Sequence, residues 1–190
     1  MKTFSKLIFL SAILLISGLV TLQAQETGTD TKKKEKSDRK KQKEAEELAD
    51  WESSRSMAEG RQFVFSATQL ITNDGTADLD PKINFFYVMD DEAVIQFGLD
   101  GVFIGGNGVG GVTSVGTIDK YIIKGENPKK PVQVELTVRP NPGQGAGIHN
   151  LVVKFFGEGF GEVFLNASGY RLKGQITTPD KAVIYEGNRR

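Results

Sequence analysis

Val132-Gln133-Val134-Glu135-Leu136-Thr137-Val138-Arg139 alternates apolar and polar residues without a break. Successive side chains of an extended strand point to opposite faces. Val132, Val134, Leu136 and Val138 therefore share a dry face, and Gln133, Glu135, Thr137 and Arg139 a wet one. That is the signature of an antiparallel sheet buried on one side. Pro140-Asn141-Pro142-Gly143 ends the strand, and a glycine-rich loop runs to Gly147.

The two-residue period extends in both directions. Downstream, Ile148 to Phe156, Glu162 to Ala167, Tyr170 to Ile176 and Ala182 to Glu186 read as strands. Gly157 to Gly161 and Ser168-Gly169 stand where turns are needed. Upstream, Phe63, Phe65 and Ala67 alternate with Val64, Ser66 and Thr68. Ile83, Phe85, Tyr87 and Met89 alternate with Asn84, Phe86 and Val88; Ala93, Ile95 and Phe97 follow the Asp90-Asp91-Glu92 turn. Val112 to Ile118 and Lys120 to Lys124 complete the set. Roughly eight to ten strands at short spacing predict an all-β sandwich or barrel, and the short links predict an up-and-down order. Of 12 phenylalanines, all but Phe4 and Phe9 fall between Phe63 and Phe164, enough bulk for a core.

The first 60 residues are different. Lys2 and Lys6, an apolar run from Leu7 to Leu22, and Leu22-Gln23-Ala24-Gln25 follow the order of a cleavable signal peptide. Cleavage is expected after Ala24, with no membrane span afterwards. Lys32 to Lys43 holds eight basic residues against Glu35 and Asp38; Glu44 to Glu59 is acidic apart from Arg55. A helix from about Asp38 to Ala58 is predicted, with the basic part before it frayed, because cations oppose the dipole at a helix N-terminus. Ala45, Leu48, Ala49, Trp51 and Ala58 form the face expected to dock, with Trp51 as anchor. The basic run could attract an anionic partner, but a solvated tether is the preferred reading. The expected organisation is a signal peptide (1–24), a charged tether and helix (25–60) and a β-barrel-like domain (61–190), working in the periplasm or beyond the cell.

Composition narrows the chemistry. There are 24 basic and 24 acidic residues, so a globally basic nucleic-acid binder is not expected. With no cysteine, disulfides, thiolate metal sites and cysteine nucleophiles are excluded. Gly106, Gly108 and Gly111 match G-x-G-x-x-G, but the strand-like residues after them are not the helix that a dinucleotide needs. Asn73 to Asp80 gathers oxygen ligands, yet its spacing is that of a turn. Asp90, Asp91 and Glu92 lie in one wet turn, where no carboxyl becomes a raised-pKa acid. Asn166-Ala167-Ser168 fits a glycosylation pattern and reads as a strand end. His149 is the only histidine and no nucleophile elbow is present. No catalytic residue, cofactor or metal is assigned.

From Phe63 to Ile176 the chain resembles a bacterial family of exported domains of unknown function, family 4251. The resemblance rests on the order of FVFSATQL (63–70), INFFYVMDDEAVIQFGLDG (83–101), GGNGVGGV (105–112), VQVELTVRP (132–140), LVVKFFGEGFGEVFL (151–165) and YRLKGQI (170–176). The Pro140–Gly147 loop is longer than that family's usual turn. The resemblance implies a lipocalin-like antiparallel barrel or half-barrel and carries no functional residue. The leading expectation is a non-enzymatic module that binds a small apolar or amphipathic ligand. Phe65, Phe85, Tyr87, Phe97, His149 and Phe155 are the candidates to line its pocket, and the Gly101–Gly116 loop is the candidate gate. The competing expectations are a structural module that binds an envelope protein, and a weak envelope hydrolase.

Overall fold

The computed structural model describes residues 4–98, 111–143, 147–165 and 169–188, with side chains from residue 32 onward. The helix α1 (Phe4–Gly60) precedes β1 (Gln62–Ile71), β2 (Thr76–Asp78), β3 (Phe85–Met89), β4 (Glu92–Gly98), β5 (Gly111–Lys124), β6 (Val132–Pro140), β7 (His149–Phe155), β8 (Phe160–Leu165) and β9 (Tyr170–Thr177). Every pairing is antiparallel, in the order β2-β1-β3-β4-β5-β6-β7-β8-β9, and β1 also pairs with β9. That last ladder closes an eight-stranded barrel of β1 and β3 to β9. Closure leaves none of these eight strands at an open edge of the sheet. The short β2 lies beside Gln69 to Ile71, beyond the stretch of β1 that pairs with β3. Its residues lie within the segment read as an uninterrupted turn.

Two bulges decide which residues face inward. In β1 the register passes from Ala67/Gly174 to Gln69/Lys173, so Thr68 is an extra residue. Phe63, Phe65 and Ala67 point in before it, and Leu70 after it. In β5 the register passes from Ile118/Val138 to Lys120/Thr137, so Asp119 is extra. Ile118 faces in before it, and Tyr121 and Ile123 after it. A bulge bends its strand and sharpens the twist, which a small barrel needs. The two stretches 112–118 and 120–124, expected as separate strands, are thus one bent strand. Asp119, out of the ladder, meets Arg139 at 2.7 Å.

The interior is packed with Phe63, Phe65, Phe86, Phe155, Leu136, Leu151 and Leu172, each at most 2% exposed. Phe63 meets Phe155 and Phe86 edge-on, with ring centres 5.1 and 6.0 Å apart. On the outer wall of β3 to β5 a second apolar cluster forms from Phe85, Val94 and Val115, with Tyr87 and Ile184 against it. Both faces of β3 are therefore covered.

The cover on the outer wall is the C-terminal segment. Residues 182–186 were expected to be a strand. They run instead as an extended strap tied to the β2–β3 link by a backbone hydrogen bond from Tyr185 N to Lys82 O at 2.8 Å. The fully buried Gln96 holds it. Its Nε2 donates to Ile83 O (3.0 Å) and Tyr185 O (2.8 Å). Its Oε1 accepts from Thr113 Oγ1 and from the Gly187 amide, both at 2.8 Å. Leucine at position 96 would leave the Gly187 amide and the Tyr185 carbonyl unpaired. An unsatisfied buried polar group costs about 1–3 kcal/mol. Gln96→Leu is expected to destabilise by about 2 kcal/mol. Amide exchange should quicken at Gly187 and Tyr185 while the β6–β7 ladder stays protected.

The chain divides into two compact units, Met1–Glu46 and Glu47–Arg190. In the first, the basic run is helical rather than frayed. Lys and Gln are good helix formers, and Lys40–Glu44 (3.7 Å) and Gln42–Glu46 (2.9 Å) are one turn apart. In the second, residues 47–60 of α1 close the barrel end at which β1 begins. The docked face is Asp50, Trp51, Ser54, Met57 and Ala58, with Ala58 fully buried. Trp51 and Ala58 dock as expected; Ala45, Leu48 and Ala49 are exposed. The face turns through Ser54, whose hydroxyl donates to Asp50 O at 2.8 Å, so a polar residue occupies the buried position. Tyr121 Oη donates to Ala58 O at 2.6 Å. Burial pushes its pKa up to about 12, against the opposing pull of Arg61. Arg61 lies 4.5 Å over the Tyr121 ring and pairs with Asp91 at 2.9 Å.

Candidate functional site

The barrel end opposite the helix carries an apolar recess. The end of β1 supplies Leu70, the β2–β3 link Leu79 and Asn84, and the end of β4 Phe97. The end of β8 supplies Leu165 and the start of β9 Tyr170 and Leu172. The recess encloses about 170 Å³. Leu70 reaches it because of the bulge at Thr68; in a regular strand Gln69 and Ile71 would share the face of Ala67 and Leu70 would point outward. Asn84 is the polar exception and is 1% exposed. Its Nδ2 donates to Asp80 O (3.0 Å) and its Oδ1 accepts from Gly98 N (2.9 Å). The amide thus ties the start of β3 to the end of β4. One N–H of the amide and its oxygen are engaged in that tie, and the rest of the lining is aliphatic or aromatic.

The structure separates the six residues expected to line a pocket. Phe97 lines the recess. Phe65 and Phe155 belong to the packed interior. Phe85 and Tyr87 lie on the outer wall under the strap, stacked with ring centres 6.2 Å apart. The reason is parity: Phe86 and Val88 take the inward positions of β3, so their neighbours face out. His149 opens β7 on the face of Leu151, Val153 and Phe155, as expected, outside the recess lining. Leu165 and Leu172 were legible as inward positions of their strands. Leu70 was hidden by the bulge, and Leu79 and Asn84 by lying outside any regular strand.

His149 is half-buried, and its Nε2 is buried with no hydrogen-bond partner among the described residues. Burial disfavours the imidazolium and lowers its pKa from 6.5. The folded state thus prefers the neutral ring. This contribution is fully present above the unfolded value and is lost as pH falls from there through the folded pKa. NMR titration of His149 should give a midpoint below 6.5. His149→Gln should flatten this acid-side loss of stability.

The remaining motifs resolve as structure. Gly111 begins β5, a strand, so no helix N-terminus follows the G-x-G-x-x-G run. Gly106, Gly108 and most of the Gly101–Gly116 loop lie outside the described residues, as do Asn166 to Ser168 and residues 144–146 of the Pro140–Gly147 loop. Asp90 and Asp91 form an exposed turn with Asp90 at φ 56°. Asp80 Oδ1 accepts from Lys82 N at 2.9 Å, a turn contact. Among the described residues no group of three or more His, Asp or Glu side chains could hold a metal ion.

No family model and no curated protein matches the chain. Among solved structures, it is similar to the crystal structure of a DUF4251 family protein from Bacteroides eggerthii DSM 20697. The two are 21% identical, with a TM-score of 0.52, over 72% of this chain and 90% of that one. The likeness carries the fold. The solved protein is a member of the family that residues 63–176 resemble.

Proposed function

We propose that this chain is exported, with its signal peptide cut after Ala24, and serves as a non-catalytic binding module of the cell envelope. Its barrel seats the apolar end of a small molecule, a ring or a short hydrocarbon tail, in the recess at the mouth. The observation that supports this reading is the lining: five aliphatic or aromatic side chains and Tyr170 around about 170 Å³, with Asn84 already bonded. A dry cavity of about 150 Å³ accepts benzene in another protein. Whole-ligand pockets run to about 300–1,000 Å³, so the rest of the molecule would lie outside the mouth.

The test is native mass spectrometry of protein taken from its own host, followed by methyl NMR titration with medium-chain fatty acids. A co-purifying mass, with shifts confined to Leu70, Leu79, Leu165 and Leu172, is the expected result. A clean apo mass with no shifts would favour the second reading, a module that meets an envelope protein and holds no ligand. The filled interior around Phe63 and Phe155 supports that alternative. Hydrolysis has no comparable support, since no acid, base and nucleophile converge among the described residues.

A further inference from the structure

Helical geometry sorts the basic run. At 3.6 residues per turn, Lys32, Lys36, Arg39 and Lys43 (i, i+4, i+7, i+11) fall within an arc of about 60°. Lys40 and Lys33 extend that arc on one side, and Glu35 borders it on the other, one turn from Arg39. Lys34 and Lys41 fall on the opposite side, and Asp38 is also away from the arc. All these side chains are exposed. The result is a cationic stripe about 16 Å long.

The stripe strains its own helix. Lys32–Lys36, Lys36–Lys40 and Arg39–Lys43 are like charges one turn apart, which oppose helix formation. The acid on Lys40 is Glu44, at 3.7 Å, with both side chains more than half exposed. Such a pair is weak. An array of negative charge laid along the stripe would relieve three repulsions at once. A flat anionic surface matches a straight row of cations better than a single small anion does.

We infer that this stripe docks the arm on an anionic lipid surface. The choice of lipid rests on the exported location proposed above, which puts the arm beside membranes; the charge geometry stands without it. Cations on the far side of the helix lie a helix diameter of about 10 Å further out. That exceeds the Debye length of about 8 Å at physiological salt. Docking should therefore depend on which cations are removed, and not only on how many.

The test is co-sedimentation of the processed chain with vesicles of phosphatidylcholine, with and without phosphatidylglycerol. Two double variants remove equal charge: Lys36→Gln with Arg39→Gln on the stripe, and Lys34→Gln with Lys41→Gln opposite it. Binding is expected only with phosphatidylglycerol. The stripe variant should lose about 30-fold in affinity, and the opposite variant less than about threefold. Circular dichroism of both variants checks that the helix persists. Equal losses would overturn the stripe. Failure to bind either vesicle would overturn the lipid partner, and so would binding to duplex DNA at the same salt in place of vesicles. None of these outcomes depends on the recess.

Discussion

Replacing Phe63 with alanine is expected to lower the unfolding free energy by about 3–5 kcal/mol. The ring is fully buried and touches Phe86 and Phe155 edge-on, at 6.0 and 5.1 Å. Its removal loses transfer free energy and two ring contacts, and it leaves a hole between strands that the closed ladder keeps from collapsing. A small domain has only about 5–15 kcal/mol of stability in total, so much of it is lost. Urea unfolding should show a lower midpoint with an unchanged slope. Phe160→Ala is the control. Phe160 is 52% exposed, so that change should stay within about 0.5 kcal/mol. Equal effects at the two sites would mean that the interior is not packed around Phe63.

Gly174→Ala should be nearly as damaging, for the opposite reason. A Cβ built there would lie 2.0 Å from Ser66 O and 2.9 Å from Ala67 Cα. Both atoms are backbone, so no side chain can rotate away. Gly174 pairs with Ala67 on one side and Gly161 on the other. Three small residues in a row let the closing ladder bend around the phenylalanines. Overpacking costs about 1–3 kcal/mol where side chains can adjust; here β1 and β9 must part, and more than about 3 kcal/mol is expected. Gly60→Ala provides the contrast, because a Cβ there meets nothing within 4 Å. In a helix that change is neutral or stabilising. Thermal melting of the two variants side by side decides the matter.

Alternation made most of the barrel legible, because a strand with one dry face writes its orientation into the chain. Val132 to Val138 needed nothing else. The sequence was harder to read where a strand is buried on both faces or gains a residue. Phe85-Phe86-Tyr87-Val88 is apolar throughout, so periodicity could not say which pair faces in. The answer depends on a strap from the other end of the chain. At Thr68 and Asp119 a single extra residue reverses the parity, and nothing in those side chains announces it. The candidate site suffered from both effects: Phe85 and Tyr87 point away from it, and Leu70 enters it past a bulge. Gln96 carries no signal of its own in the sequence beyond a polar residue between Ile95 and Phe97. Its role needed the strap and Thr113 in place before its amide could be counted as fully bonded.

The ladder between β1 and β9 also bears on the birth of the molecule. Thr68 and Lys173 are 105 positions apart and linked by a hydrogen bond. Until Thr177 has left the ribosome the cylinder cannot shut, and the earliest strand waits for the newest. Contacts so distant along the chain slow assembly, toward milliseconds or seconds for barrels of this kind. Throughout that interval both flanks of the half-built sheet stand open to a neighbouring nascent copy.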